Sequence, residues 1–136
     1  MPMELLSRKL VRTHHDPAHA YGGHLAHWCP ACKELHEFAV DRAFHNGARW
    51  THTGSFDVPT FSPSMNIRIG PFPAASKRAG KVIVCHYFVR QGRIEYLSDC
   101  THELTGQTVD LPDLPQSVLE QIDVSQRYAA GENIWS

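Results

Sequence analysis

The stretch KVIVCHYFVRQGRIEYLSDC, residues 81–100, decides the fold because it predicts a β-hairpin. Both of its arms are rich in β-branched and aromatic residues, and Gln91-Gly92 between them is a typical two-residue turn. We expect Arg90 to pair with Arg93, and this pair sets the register of the whole hairpin.

Two cysteines of this hairpin fall on the same face. Side chains alternate between the two faces of a strand, and the register makes Cys85 and Cys100 diagonal neighbours. Diagonal neighbours lie about 7 to 8 Å apart at Cα, a spacing from which two thiolates can converge on one metal ion. A slip of the turn by one residue would exchange Cys85 for His86.

A second pair of cysteines forms the motif CPAC at residues 29–32, between the strand-like runs 25–28 and 35–40. A tight turn places both sulfurs on one side, which suits a zinc knuckle at the tip of a hairpin. Zinc binds thiolates tetrahedrally at about 2.3 Å. The sequence therefore predicts one closed Zn²⁺ site. Its expected ligands are Cys29, Cys32, Cys85 and Cys100, with His86 and His102 in reserve.

Two other interpretations of the cysteines stay open. A redox role for the Cys-x-x-Cys motif requires that it open a helix in a βαβ unit, and residues 33–38 can be read as helical. Cys85 and Cys100 would then have no role. Inert buried thiols are the remaining alternative.

The register of the hairpin sends His86 to the opposite face, diagonal to Asp99. A histidine beside a carboxylate can act as a general base with its orienting partner, or it can support a metal site. It can equally be a structural histidine that ties the hairpin to a neighbouring loop. The candidate catalytic residues are His86, Asp99 and His102.

Several well-known enzyme motifs are missing from the chain. No His-x-Glu precedes the CPAC motif, as a zinc deaminase requires, and the sequence has no His-Glu-x-x-His, Gly-x-Ser-x-Gly or phosphate-binding loop. A zinc ion closed by four thiolates has no open position for water and is structural.

Length and charge limit the remaining classes. At 136 residues, the chain is expected to form a single zinc-stabilised domain over residues 1–136. A formal net charge of −1 gives no electropositive footprint for nucleic acid. The chain has no apolar run as long as a membrane span and no signal peptide, so we expect a cytoplasmic protein whose thiols stay reduced.

The other segments predict a mainly β fold of the α+β class. A small antiparallel sheet of about five to seven short strands should carry the zinc-ribbon-like knuckle at one end. One C-terminal helix over residues 115–123 should pack on a face of this sheet. Residues 4–13 fit a strand about as well as a short helix. Residues 58–64 are bracketed by prolines and should not lie centrally in a sheet.

The loop at residues 14–24 is rich in histidine, which suggests a second metal site as a lesser hypothesis, since most such loops are solvent-exposed. Its candidate ligands are His14, His15, His19 and His24.

The CPAC motif, the block PTFSPS at residues 59–64 and the block at residues 85–102 together resemble a family of small uncharacterised phage and prophage proteins. The likeness continues through GQTVDLP at residues 106–112. Some members are labelled ammonia monooxygenase, which would imply a copper membrane enzyme and has no support in a chain without a membrane span. The resemblance implies a phage or prophage accessory protein with a zinc site, and it transfers no catalytic residues.

Two functions fit these features. The favoured one is a zinc-stabilised binding module of the host cytosol that acts on a host or phage protein, for example by inhibiting a host defence or regulatory system. The alternative is a small metal-dependent hydrolase that uses His86, Asp99 and His102, with His52 as a further candidate. A fully ligated zinc cannot activate water, which favours the binding module.

Overall fold

The computed structural model describes residues 3–13, 24–41, 43–44 and 46–129. Over these residues the chain forms nine β-strands and one α-helix. No helix in the described ranges is long and apolar enough to cross a membrane. The elements are β1 Glu4–Leu5, β2 Leu10–Arg12, β3 Leu25–Cys29, β4 Glu34–Phe38, β5 Thr51–Thr53, β6 Thr60–Ile69, β7 Ile83–Arg90, β8 Arg93–Tyr96, β9 Thr108–Asp110 and α1 Gln116–Ala129.

The strands form two antiparallel meanders. Strands β1 to β4 make one sheet and β5 to β9 make a second, and within each sheet every strand pairs with its neighbour in the chain. Residues 39–50 carry the chain from the first sheet to the second, and the Trp50 amide donates to the Ala39 carbonyl at 2.8 Å across this connection. The prediction of a mainly β, antiparallel fold is confirmed, with two sheets where one was expected.

The two sheets pack face to face through aromatic side chains. Phe38 of the first sheet stacks on Phe61 of the second with ring centroids 4.2 Å apart, and both are almost fully buried. Between the sheets the hydroxyl of Tyr87 lies 2.7 Å from Nε2 of His27. Burying a side chain of this size contributes about 1.5 to 3 kcal/mol, so the interface between the sheets forms the main core.

The helix covers the other face of the first sheet. Leu114, Val118 and Ile122 are buried against Val11 and Ala26, which project from the outer side of β2 and β3. The predicted helix is confirmed near its start, and it extends to Ala129, beyond the expected end at residue 123. Residues 4–13 hold the strands β1 and β2, which resolves the ambiguity between strand and helix there.

The central hairpin has the predicted register at its turn. Arg90 pairs with Arg93, and Tyr87 pairs with Tyr96. Strand β8 then ends at Tyr96, four residues before the expected end of the arm. The chain turns back on itself there, and the Thr101 amide donates to the Val84 carbonyl at 3.0 Å. The residues after Tyr96 therefore form a loop beside β7, not a strand.

Strand β6 contradicts the expectation that the proline-bracketed segment lies outside the middle of a sheet. It runs between β5 and β7 and contains Pro63. Phe61 pairs with Val89 and Met65 pairs with Tyr87, so residues 62–64 bulge opposite the single residue Phe88. A bulge frees Pro63 from the hydrogen-bonded ladder, which is why proline is tolerated at this position.

Candidate active site

Three polar side chains on the outer face of the second sheet form a hydrogen-bonded triad. Ser64 Oγ lies 3.2 Å from His86 Nε2, and His86 Nδ1 lies 3.0 Å from Asp99 Oδ2. A carboxylate only accepts hydrogen bonds, so Nδ1 donates to Asp99 and Nε2 is left to accept from the Ser64 hydroxyl. Nucleophilic serines are arranged in this order of hydroxyl, imidazole and carboxylate.

Each member of the triad is held by a different local feature. The bulge in β6 carries Ser64, and the Trp50 indole donates to the Ser64 carbonyl at 3.2 Å. His86 projects from β7 with 23% of its side chain exposed, so it is supported by neighbours and still within reach of a substrate. Asp99 lies in the loop that follows β8.

Cys100 ties that loop to the backbone of His86. Its sulfur lies 3.2 Å from the His86 amide nitrogen and 3.1 Å from the His86 carbonyl oxygen, accepting from the first and donating to the second. The residue next to Asp99 is thus anchored to the strand that carries the histidine, which fixes the distance between the two side chains.

The electrostatics of the triad favour an ionised carboxylate. The hydrogen bond from His86 lowers the pKa of Asp99 below its ordinary value of 3.8, and the charge of Arg68 adds a smaller effect in the same direction. An ionised Asp99 orients the imidazole and stabilises the imidazolium that forms when His86 takes a proton.

A groove of about 930 Å³ lies along the outer face of the sheet beside the triad. Ser62 and Phe88, each two residues from a member of the triad, form part of its wall. Arg90 lies over the Phe88 ring at 3.9 Å and is paired with Glu95 at 2.9 Å. The groove therefore offers an aromatic surface and charges of both signs, although no member of the triad lines it.

A second cluster of reactive side chains lies between the two sheets. The sulfurs of Cys29, Cys32 and Cys85, hereafter the sulfur cluster, lie within 4.8 Å of one another, and those of Cys29 and Cys85 are 4.0 Å apart. Cys32 also belongs to a second group, in which its sulfur and one donor atom each of Glu34 and His36 lie within 4.8 Å of one another. Either group could hold a metal ion.

The CPAC motif forms the turn between β3 and β4, as the knuckle prediction requires. The Lys33 amide donates to the Cys29 carbonyl at 2.8 Å, and Lys33 adopts a φ of 57° that closes the turn. Residues 34–38 are a strand, so the helix on which a redox interpretation depends is not formed.

The sulfur cluster has a strong internal electrostatic asymmetry. A hydrogen bond from Cys85 lowers the pKa of the Cys29 thiol to about 5. Burial raises the pKa of Cys32 to about 11, and the hydrogen bond to Cys29 raises that of Cys85 further still. The thiolate form is thus favoured at Cys29 and disfavoured at Cys32 and Cys85.

Cys100 and His102 do not join the sulfur cluster. Among the described residues, Cys100 belongs to no group that could hold a metal ion. Because β8 ends before it, Cys100 lies in the following loop, and its sulfur is hydrogen-bonded to the backbone of His86 instead. His102 accepts from the Leu104 amide at Nδ1 and packs against Tyr96 at 4.6 Å. The geometry thus departs from the predicted set of four thiolates.

The remaining histidine candidates lie away from both clusters. His52 stacks on Phe56 at 5.4 Å, and His24 is buried against Phe44 at 4.6 Å. His14, His15 and His19 fall outside the described residues.

Sequence reasoning identified His86 and Asp99 but missed Ser64. A proline on each side of the Thr-Phe-Ser run predicts an extended segment that does not lie centrally in a sheet, and this hides the strand that carries Ser64. The available signal was the pair Pro63-Ser64 ahead of an alternating run, which is consistent with a bulge that re-aims the following side chain.

The fold is a β-sandwich, and the order of hydroxyl, imidazole and carboxylate on its outer face is the arrangement that serine hydrolases use. The model of the BubE family, described as a bacterial ubiquitination-like system serine protease, matches residues 1–97. The chain therefore belongs to the BubE family. The matched range includes Ser64 and His86 and ends two residues before Asp99. No curated protein and no solved structure matches the chain significantly.

Proposed function

We propose that this protein is a serine protease in which Ser64 is the nucleophile, His86 the general base and Asp99 the residue that orients His86. The observation that carries the proposal is the hydrogen-bonded order Ser64 Oγ, His86 Nε2, Asp99 carboxylate. The description of the BubE family as serine proteases supports amide bonds as the substrate class.

The triad accounts for each proton in amide hydrolysis. His86 Nε2 takes the hydroxyl proton as Ser64 Oγ bonds to the scissile carbonyl carbon, and the same proton then passes to the leaving amine as the C–N bond breaks. Water attacks the resulting ester with His86 again as the base, which releases the acid and restores the Ser64 hydroxyl. No metal takes part in these steps.

A serine nucleophile needs no metal-bound water, so the argument that favoured a binding module over an enzyme no longer applies. That preference rested on a closed zinc ion being unable to activate water, whereas a serine nucleophile is activated by its histidine. We propose that the partner is a protein substrate, and a host or phage protein of a ubiquitination-like system is the natural class. The binding-module hypothesis makes the opposite prediction, because such a module would keep its function without Ser64.

A serine-directed fluorophosphonate probe tests the proposal without knowledge of the substrate. The probe should label the purified protein at Ser64, as located by peptide mass spectrometry, and Ser64→Ala should abolish labelling. Ser117→Ala is the control, since Ser117 is an exposed serine of α1 outside the groove and should leave labelling intact. Labelling that survives Ser64→Ala, or that is absent from the folded wild type, would contradict the proposal.

We further propose that the sulfur cluster binds Zn²⁺ as a structural ion, because thiolates are ligands that zinc prefers. The ligands come from both sheets, Cys29 and Cys32 from the β3–β4 hairpin and Cys85 from β7. The reducing host cytosol is the compartment that keeps such thiols available. Elemental analysis of the purified protein should give one zinc per chain, and Cys85→Ser should lose it.

A further inference from the structure

We propose that His36 is the fourth zinc ligand, so that the ion is held by three cysteines and one histidine. This inference rests on the zinc proposal and replaces Cys100 in the predicted ligand set. Cys32 carries the argument, since its sulfur belongs both to the sulfur cluster and to the group that contains His36. The sulfur of Cys32 is thus close both to the other two thiols and to the His36 imidazole.

The burial of His36 gives an independent reason for a ligand at this position. Its side chain is only 3% exposed, and its buried Nε2 atom has no hydrogen-bond partner. Glu34 Oε1 lies 3.4 Å from this atom and forms an ion pair with it only when the imidazole is protonated, and the Glu34 side chain is 59% exposed. A buried polar atom without a partner costs free energy, and a metal bond would supply the missing partner.

A chain of hydrogen bonds sets the tautomer of His36. His27 Nδ1 lies 3.2 Å from the Trp28 carbonyl, which can only accept, so Nδ1 is the donor. In the neutral His27 ring, Nε2 then has no hydrogen and accepts from the Tyr87 hydroxyl at 2.7 Å. Because the single hydroxyl hydrogen of Tyr87 is used in the bond to His27, the Tyr87 oxygen accepts a hydrogen bond from His36 Nδ1 at 3.0 Å. In the neutral imidazole the proton of His36 is therefore on Nδ1, and Nε2 carries the lone pair that can bind a metal.

This arrangement is the one that zinc-binding histidines use. One ring nitrogen binds the metal while the other donates to a neighbouring group that fixes the orientation of the ring. In His36 these two roles fall to Nε2 and Nδ1, with Tyr87 as the neighbouring acceptor. Three soft thiolates and an imidazole also form one of the common ligand sets of structural zinc.

Cobalt substitution counts the ligands in the unmodified protein. Replacing zinc by Co²⁺ should give a tetrahedral visible spectrum whose thiolate-to-cobalt charge transfer corresponds to three sulfurs. The Nε2 resonance of His36 should also shift on metal binding in nitrogen-15 NMR of the zinc protein. A four-thiolate spectrum, or an unchanged His36 resonance, would overturn the assignment of His36 while leaving the zinc proposal intact. A wild type that binds neither metal would overturn both.

Three variants test the same point by affinity. Loss of a residue that merely supports a metal-binding histidine costs about 10- to 100-fold in affinity, so His36→Ala should weaken zinc binding by about 100-fold or more. His36→Cys should restore tight binding and add a fourth thiolate to the cobalt spectrum. Cys100→Ala should leave zinc affinity unchanged, and zinc loss in Cys100→Ala with retention in His36→Ala would overturn the inference. If His36→Ala does not fold, the wild-type cobalt spectrum and the His36→Cys variant still decide the matter.

Discussion

Cys85 and His86 are consecutive residues of β7 whose side chains point to opposite faces of the second sheet. The Cys85 thiol is buried in the sulfur cluster, whereas His86 faces outward between Ser64 and Asp99. The candidate metal site and the candidate active site are thus separated by the thickness of one sheet. Substitutions in the triad should therefore leave the metal site in place.

His86→Ala and Asp99→Asn should remove hydrolysis and retain the metal. Loss of the orienting carboxylate in a serine triad costs about 10⁴-fold in kcat, and loss of the histidine at least as much. The measurements are kcat on an amide substrate and zinc content by elemental analysis. Ser98→Ala, at the exposed residue beside Asp99, is the control and should retain both. Zinc loss in His86→Ala would mean that this side chain, not Cys85, faces the metal.

Cys100→Ala should lower kcat through the position of Asp99. Removing the sulfur deletes both contacts with the His86 backbone, so the loop that carries Asp99 is no longer anchored. We expect kcat to fall by about 10- to 100-fold, a positional effect smaller than the loss of a triad member, with little change in KM. Cys100→Ser keeps a donor and an acceptor at this position and should recover part of the activity. Equal activity in wild type and Cys100→Ala would show that the anchor is not needed.

Removal of zinc should lower stability and activity together. Structural zinc contributes to the free energy of folding directly, and its proposed ligands include Cys85, which adjoins the histidine of the triad. Calorimetry with and without a chelator should show a lower Tm for the metal-free protein, and re-addition of zinc should restore both Tm and kcat. A metal-free protein with the wild-type Tm would argue against a structural role.

The ion pair at the entry to the helix should make stability depend on pH in the acid range. The hydrogen bond from Lys9, 2.7 Å away, lowers the pKa of Asp113 below 3.8. A carboxyl with a lowered pKa stabilises the fold above its unfolded pKa, and this contribution is lost as the pH falls through the folded value. Asp113→Asn should therefore lower the urea midpoint at pH 7 and have less effect at pH 2. Asp57→Asn, at an exposed aspartate between β5 and β6, should shift neither midpoint.

The strands and their local pairing could be predicted because they depend on short-range patterns. The Gln91-Gly92 turn and the alternation beside it set the register from Arg90 to Tyr87, and this register also placed His86 near Asp99. The prediction failed where the chain leaves the ladder. Alternation carries no information on where β8 stops, and the position of Cys100 depends on that point.

The proposed nucleophile and the proposed fourth ligand could not be found without three-dimensional information, for different reasons. Ser64 lies in a bulge, where the side chains no longer alternate between the two faces of the strand, so the sequence pattern does not show which way Ser64 points. Pro63 also favours an edge strand or a loop over a central strand. His36 alternates with its neighbours in β4 like an ordinary core residue. Only the packing of the second sheet against the first brings Tyr87 to one of its ring nitrogens and leaves the other without a partner.

The sulfur cluster joins side chains from both sheets, and this has a consequence for the rate of unfolding. With an ion bound to Cys29, Cys32 and Cys85, the sheets cannot separate until at least one metal bond has broken. The lifetime of the folded protein would then follow the rate of metal release more closely than the equilibrium stability of its core. A cell that withdraws zinc would thereby shorten the life of this protein as well as lower its activity.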